Sequence, residues 1–168
     1  RFGASDAEFE MVTLPHTNQL FAHRQVASED YEIISTYRNR IIAPDLGAHQ
    51  HAFIDFDGAM LVSTVYLNDQ LLGTHGGGYT PFSYDLTPYL QPGENVITVF
   101  LDSTERHDIP PNGNVVDYLL FGGIYRDVRL RLVDRCHITK VFARPEDVLT
   151  TPKLKCELHL SAFAPGML

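Results

Sequence analysis

DYLLFGGIYRDVRL, residues 117–130, is the stretch on which the fold turns. Its second half alternates. Val128, Leu130 and the following Leu132 point one way, Arg129 and Arg131 the other, which predicts a strand with one face on a core and one in water. Its first half is a run of large apolar residues broken by Gly122 and Gly123. Glycines inside a strand mark a bulge or a close approach by another backbone. A kink there would turn residues 117–120 out of the sheet and aim Asp117 at a rim. An ordinary bulge carrying an exposed aspartate fits the same spacing.

Outward from this stretch the chain reads as strand after strand, with helical periodicity nearly absent. VSTVYL (Val62 to Leu67) is β-branched and aromatic-rich. It meets Asn68-Asp69, a pair that tolerates positive φ and suits a tight hairpin, and QLLGTH (Gln70 to His75) is the return strand. ENVITVFLD (Glu94 to Asp102) follows a QPG turn and is apolar on both faces, so it is expected in the middle of a sandwich. KLKCELHL (Lys153 to Leu160) alternates, which predicts one face on a core. The one helical hint is DLTPYL (Asp85 to Leu90), where Thr87 can cap and Pro88 suits a first helical position; a single turn is expected. Many short strands punctuated by Gly and Pro predict an all-β fold, a β-sandwich or jelly roll. A seam falls near residues 133–137. HITKVFARPEDV and KLKCELHL beyond it look like two strands of a second, unfinished unit, since an isolated ribbon is barely stable in water.

The composition limits what such a sandwich can do. The chain has 168 residues, 44% hydrophobic and 20% charged, enough for one domain with a real core and part of a second. Its net charge of −8 argues against nucleic acid and against anionic membrane surfaces, and no apolar run is long enough to span a bilayer. Neutral ligands such as sugars remain allowed. No charged-then-apolar leader is visible. The two cysteines, Cys136 and Cys156, read as small buried hydrophobes or as a disulfide, and the compartment stays open.

Several local patterns suggest chemistry and do not carry it. GTHGGGYTPF lacks the Gly-Lys-Ser/Thr of a phosphate loop; its glycines are expected to let backbone pass under an aromatic, with Tyr79 and Phe82 packing. His49 and His51 share a strand face but have no evident third ligand. Asp55-Phe56-Asp57-Gly58 starts like a calcium loop without the later acids. Asp102, Ser103, Glu105, Arg106, His107 and Asp108 form a polar loop with no nucleophile elbow, and Arg106 could reach Asp117. Arg126 beside Asp127 reads as a structural ion pair.

DYLLFGGIYRDVRL resembles the signature near the end of the N-terminal jelly-roll domain of glycoside hydrolase family 2, the family of β-galactosidases and β-glucuronidases. VTLPHT (Val12 to Thr17), the block Asp55 to Asp102 and the proline-rich DSTERHDIPPNG follow that pattern in order. The resemblance covers about residues 11–133, and the tail resembles the first strands of an immunoglobulin-like domain. It implies a jelly-roll sugar-binding domain over 1–134 and the truncated start of a second sandwich over 135–168. It implies that the parent enzyme is a retaining glycosidase whose TIM barrel carries two catalytic glutamates. Neither glutamate has a counterpart here, so no catalytic residue is expected in this chain and the fragment alone should be inactive. By motif position Asp117 matches an aspartate that hydrogen-bonds the terminal sugar and in some β-galactosidases binds sodium. Asn68 matches an asparagine that contacts galactose. No cofactor is implied for the fragment itself; sodium or magnesium is implied for the parent enzyme. The implied partners are the terminal sugar of a galactoside and the downstream immunoglobulin-like and TIM-barrel domains. Two departures stand out: Asn68-Asp69 replaces the usual Asn-Gly, and Asn18 replaces the usual aromatic after Leu-Pro-His-Thr. A stand-alone carbohydrate-binding module, a pure scaffold, and a β-glucuronide or β-mannoside substrate are the alternatives. Oligomeric state, linkage and aglycone are not legible.

Overall fold

The computed structural model describes residues 5–19, 32–112 and 120–162. They fall into two compact units, within Arg1–Asp45 plus Ala52–Arg131 and within Leu46–His51 plus Leu132–Leu168. The strands are β1 (Ile34–Ile42), β2 (Gln50–Phe56), β3 (Val62–Leu67), β4 (Gln70–Gly76), β5 (Phe82–Asp85), β6 (Glu94–Asp102), β7 (Val128–Asp134), β8 (Ile138–Glu146) and β9 (Lys153–Leu160). A four-stranded sheet has the order β1-β6-β3-β4, a three-stranded sheet β5-β2-β7, and β8 pairs with β9 alone. A 3₁₀ turn at Asp6–Glu8, closed by a capping box from Ser5, precedes them.

The all-β expectation holds. β6 lies between β1 and β3, with Val99 opposite both Tyr37 and Val65. Its inward residues Ile97, Val99 and Leu101 are buried, as are Val65 and Leu67 of β3 and Ala52, Ile54 and Phe56 of β2. Alternate residues of each strand thus meet in a core between two sheets, as period-two patterning requires. The β3–β4 hairpin turns on Asn68 and Asp69 at φ 48° and 65°, a conformation in which Asn and Asp are among the few tolerated side chains. After β5, Leu86 C=O accepts from Tyr89 N and Leu90 N, a single turn as expected. It is held by Asp85 Oδ1 on Thr87 N and by Thr87 Oγ1 on Ala52 N.

Four expectations need correcting. Leu130 and Leu132 of β7 are 45% and 46% exposed, so the alternation is real but its apolar face is only half covered. β9 is exposed along its whole length, and neither face of the β8–β9 ribbon reaches a core. Alternation reports a strand's two faces; it does not report whether anything covers the apolar one. The aromatic that crosses the glycine-rich segment is Tyr84, whose ring lies where a Cβ on Gly73 would sit, rather than Tyr79. Cys156 is exposed, and the half-buried Cys136 donates its thiol to Ala162 O at 3.1 Å.

Candidate functional site

At one end of the four-stranded sheet β3 begins, β4 and β6 finish, and two distant segments cross. Residues 122–124 lie between Met60 on one side and residues 16–18 on the other. Met60 N donates to Gly123 O at 3.0 Å, His16 N to Ile124 O at 2.8 Å, and Asn18 N to Gly122 O at 3.1 Å. Thr17 Oγ1 adds a bond to Gly122 O at 3.1 Å. This crossing is the reason for the glycine pair. A Cβ on Gly122 would stand 2.5 Å from Ser103 Oγ and 2.6 Å from Asn18 Nδ2, and one on Gly123 would meet His16 O and lie 2.8 Å from Asn18 N. Gly123 also has φ 115°, a region closed to other residues. Of the two readings of the pair, close backbone approach is what the structure contains.

Ser103 ties the crossing to the sheet. It is buried, its Oγ donates to Met60 O at 2.7 Å and accepts from Asn18 Nδ2 at 3.2 Å, and its N–H bonds Ile33 O at 3.0 Å. Asn18 Oδ1 is enclosed with no hydrogen-bond partner among the described residues. His16 Nδ1 meets Tyr37 OH at 3.0 Å, and burial pushes the Tyr37 phenol above its ordinary range. Tyr125 OH donates to Gly78 O at 2.6 Å, pinning the glycine-rich segment to the same end, while Phe121 is 44% exposed beside it.

Asp117 lies outside the described residues. It is five positions before Gly122 in the sequence. Asn68 lies elsewhere. Its N–H bonds Val96 O, its Oδ1 accepts from Val96 N at 2.9 Å, and its Nδ2 donates to Asn95 Oδ1 at 2.6 Å. Asn95 is fully buried and also holds Gln91 N, Gln91 O and Gly93 O. Asn68 is thus the latch between the hairpin and the start of β6. From Val96 to Ser103 is seven residues of extended chain, roughly 24 Å, so the structure sets Asn68 at the opposite end from Gly122.

The remaining candidates have local partners. Asp57 takes two bonds from Arg129, at 3.0 and 2.6 Å, and Asp55 two from Arg131, at 2.6 and 3.0 Å. The Arg131 guanidinium, helped by the Ser83 hydroxyl, holds the Asp55 carboxyl below the usual carboxylate range. Asp102 Oδ1 caps Thr104, and Arg106 pairs with Asp108 at 3.2 Å. Asp127 pairs with Arg129, not with Arg126. Among the described residues no three His, Cys, Asp or Glu side chains gather as metal ligands do. Sequence reading missed the Asn18–Ser103 pair because the two are 85 positions apart; the only signal for it was Gly122, whose missing side chain makes room for both.

Residues 16–133 match the family model described as glycosyl hydrolases family 2, sugar binding domain. The β-galactosidase of Thermoanaerobacter pseudethanolicus is 43% identical over 144 residues, covering 84% of this chain and 19% of that protein. The crystal structure of a Bacteroides uniformis β-glucuronidase superposes with TM-score 0.77 at 30% identity, covering 87% of this chain and 18% of that one. A crystal structure from Bacteroides fragilis gives TM-score 0.82 at 29% identity over 90% of this chain and 24% of its own. The chain spans about a fifth of the length of the curated relatives it matches.

Proposed function

Since the chain belongs to the sugar-binding domain of glycosyl hydrolase family 2, we propose that it is the accessory domain of a retaining glycosidase acting on terminal β-galactosides. In this reading the domain lends rim residues to a sugar subsite whose acid–base and nucleophilic glutamates lie in another part of the polypeptide. Alone it hydrolyses nothing. The jelly roll ends near residue 134, and the β8–β9 ribbon opens a second sandwich that covers its apolar faces.

The observation that supports the reading is the crossing at Gly122–Ile124. It fixes the backbone at Gly122, five positions after Asp117 in the sequence, at an end where buried Ser103 and Met60 meet the half-buried Asn18. A carboxylate there accepts two sugar hydroxyls with charge assistance. Asn68, engaged with Asn95 and Val96, keeps one amide hydrogen outside these bonds; the proposal gives the sugar contact to Asp117 and treats a second from Asn68 as a matter for mutation. A sodium ion on Asp117 would rest on that carboxylate and neighbouring oxygens, and no step is assigned to it.

The galactoside assignment follows the 43% identical β-galactosidase, and a β-glucuronide is the second reading, favoured by the Bacteroides uniformis enzyme. Replacing Asp117 by Ala in the full-length parent should remove a charged hydrogen bond of about 1.5–3 kcal/mol, hence lower kcat/KM by roughly ten- to hundredfold. Unchanged kinetics on both β-galactosides and β-glucuronides would leave a scaffold. Tight binding of galactosides to the domain without its parent, by calorimetry, would instead mark a stand-alone module.

A further inference from the structure

Six arginines of the first unit have described positions, and five of them hold a carboxylate. Arg38 and Arg40 share Asp6, Arg40 also takes Glu94, Arg106 takes Asp108, Arg129 takes Asp57 and Asp127, and Arg131 takes Asp55. Arg126 has none among the described residues, in a chain whose net charge is −8. Its side chain is nonetheless held in place. The stem lies over Gly58, where a Cβ would be 3.0 Å from Arg126 Cδ. The guanidinium carbon stands 5.4 Å from the centre of the Tyr125 ring. Nη1 points at Tyr79 O and Asp57 O, at 3.4 and 3.5 Å, long contacts that orient more than they satisfy.

Those contacts use one nitrogen. They leave Nε–H and Nη2–H without an acceptor among the described residues, and these two form the edge that takes a carboxylate with two parallel bonds. The edge is exposed, at the same end of the sandwich as Gly58, Gly78 and the Gly122 crossing. A guanidinium that is oriented by a ring, a glycine floor and two carbonyls, yet lacks the acid given to its neighbours, is prepared for an acid from outside the unit.

We propose that Arg126 is a docking residue: it takes an Asp or Glu side chain of the parent polypeptide lying outside these 168 residues, in a side-on bidentate pair that fixes this end of the domain against its neighbour. The proposal rests on the reading that the chain is one domain of a longer glycosidase. The neighbour is favoured over a sugar because about four-fifths of the relatives' length lies outside the matched part.

The test uses the full-length parent. Phenylglyoxal should modify Arg126 at least about tenfold more slowly in the native protein than in the urea-unfolded one. In the Arg126→Lys variant, carbodiimide coupling should join position 126 to an Asp or Glu outside residues 1–168, identified by peptide mass spectrometry. Equal labelling rates in the native and unfolded protein overturn the proposal. So does a cross-link confined to acids within residues 1–168, such as Asp57 or Asp127, and so does the absence of any cross-link. Activity is read separately. A parent inactive on β-galactosides but cross-linked as expected refutes the substrate and leaves the docking pair standing.

Discussion

Gly123 is the residue at which the fold is most exposed to a single change. Its φ of 115° and its contact with the 16–18 backbone leave no room for a methyl group, and neither neighbour is the loose end of a flexible side chain. Gly123→Ala is expected to cost on the order of 2–4 kcal/mol from strain and displaced backbone bonds together, seen as a fall of several degrees or more in Tm. An unchanged Tm would mean that the crossing is not tight. Asn68 poses a different question, stability against affinity. Asn68→Ala removes the bonds to Asn95 and Val96 and places Ala at φ 48°, and should destabilise by about 1–3 kcal/mol. Calorimetric affinity for galactoside in the parent enzyme should stay within about twofold. A tenfold loss with an unchanged Tm would return the residue to the sugar.

At the scale of elements, β2 and β7 are joined by Asp55–Arg131 and by Asp57–Arg129 just past β2, and Ser83 of β5 donates to Asp55 from the other side. Because Asp55 ionises below the usual carboxylate range when folded, its contribution is complete above the unfolded pKa and is lost as pH falls through the folded one. Asp55→Asn should therefore lower the urea midpoint at pH 7, by an amount equivalent to about 0.5–1 kcal/mol at low salt, and the gap should close as the pH falls through the lowered folded pKa of Asp55. A gap that widens in acid would contradict the pairing. These elements also show what sequence reveals. β3 and β6 were legible to the residue because their signals are local: β-branched runs bounded by Asn-Asp and Pro-Gly turns. The reason for Gly122 and Gly123 was not, because the residues that need the space, 16–18 and 103, are distant in sequence and the pattern allows either a bulge or a crossing. Asn68 was legible as a turn residue but not as a latch, since its partner Asn95 lies in β6, 27 positions away.

Across the whole molecule the unevenness lies in what is covered. The first unit encloses side chains from two sheets, whereas the β8–β9 ribbon leaves Val141 57%, Leu154 66%, Leu158 56% and Leu160 45% exposed. Burying each such side chain is worth about 1.5–3 kcal/mol, and the ribbon collects little of it, so it depends on its own ladder and turn. Ladder bonds without a packed face open at little cost, while those of β6 open only when the core does. In the 168-residue chain, native-state hydrogen exchange should therefore be at least about 100-fold faster for amides of β8 and β9 than for the buried amides of β6, a gap of roughly 2.7 kcal/mol in opening free energy. If a second sandwich follows as proposed, extending the polypeptide should slow the ribbon amides selectively and leave those of β6 nearly unchanged, because the proposed cover would pack on the exposed Leu154 and Leu158 and not on the buried Val99 or Leu101. Equal protection of β6 and β9 in the short chain would mean that the ribbon already has a cover, and the second sandwich would lose its physical rationale.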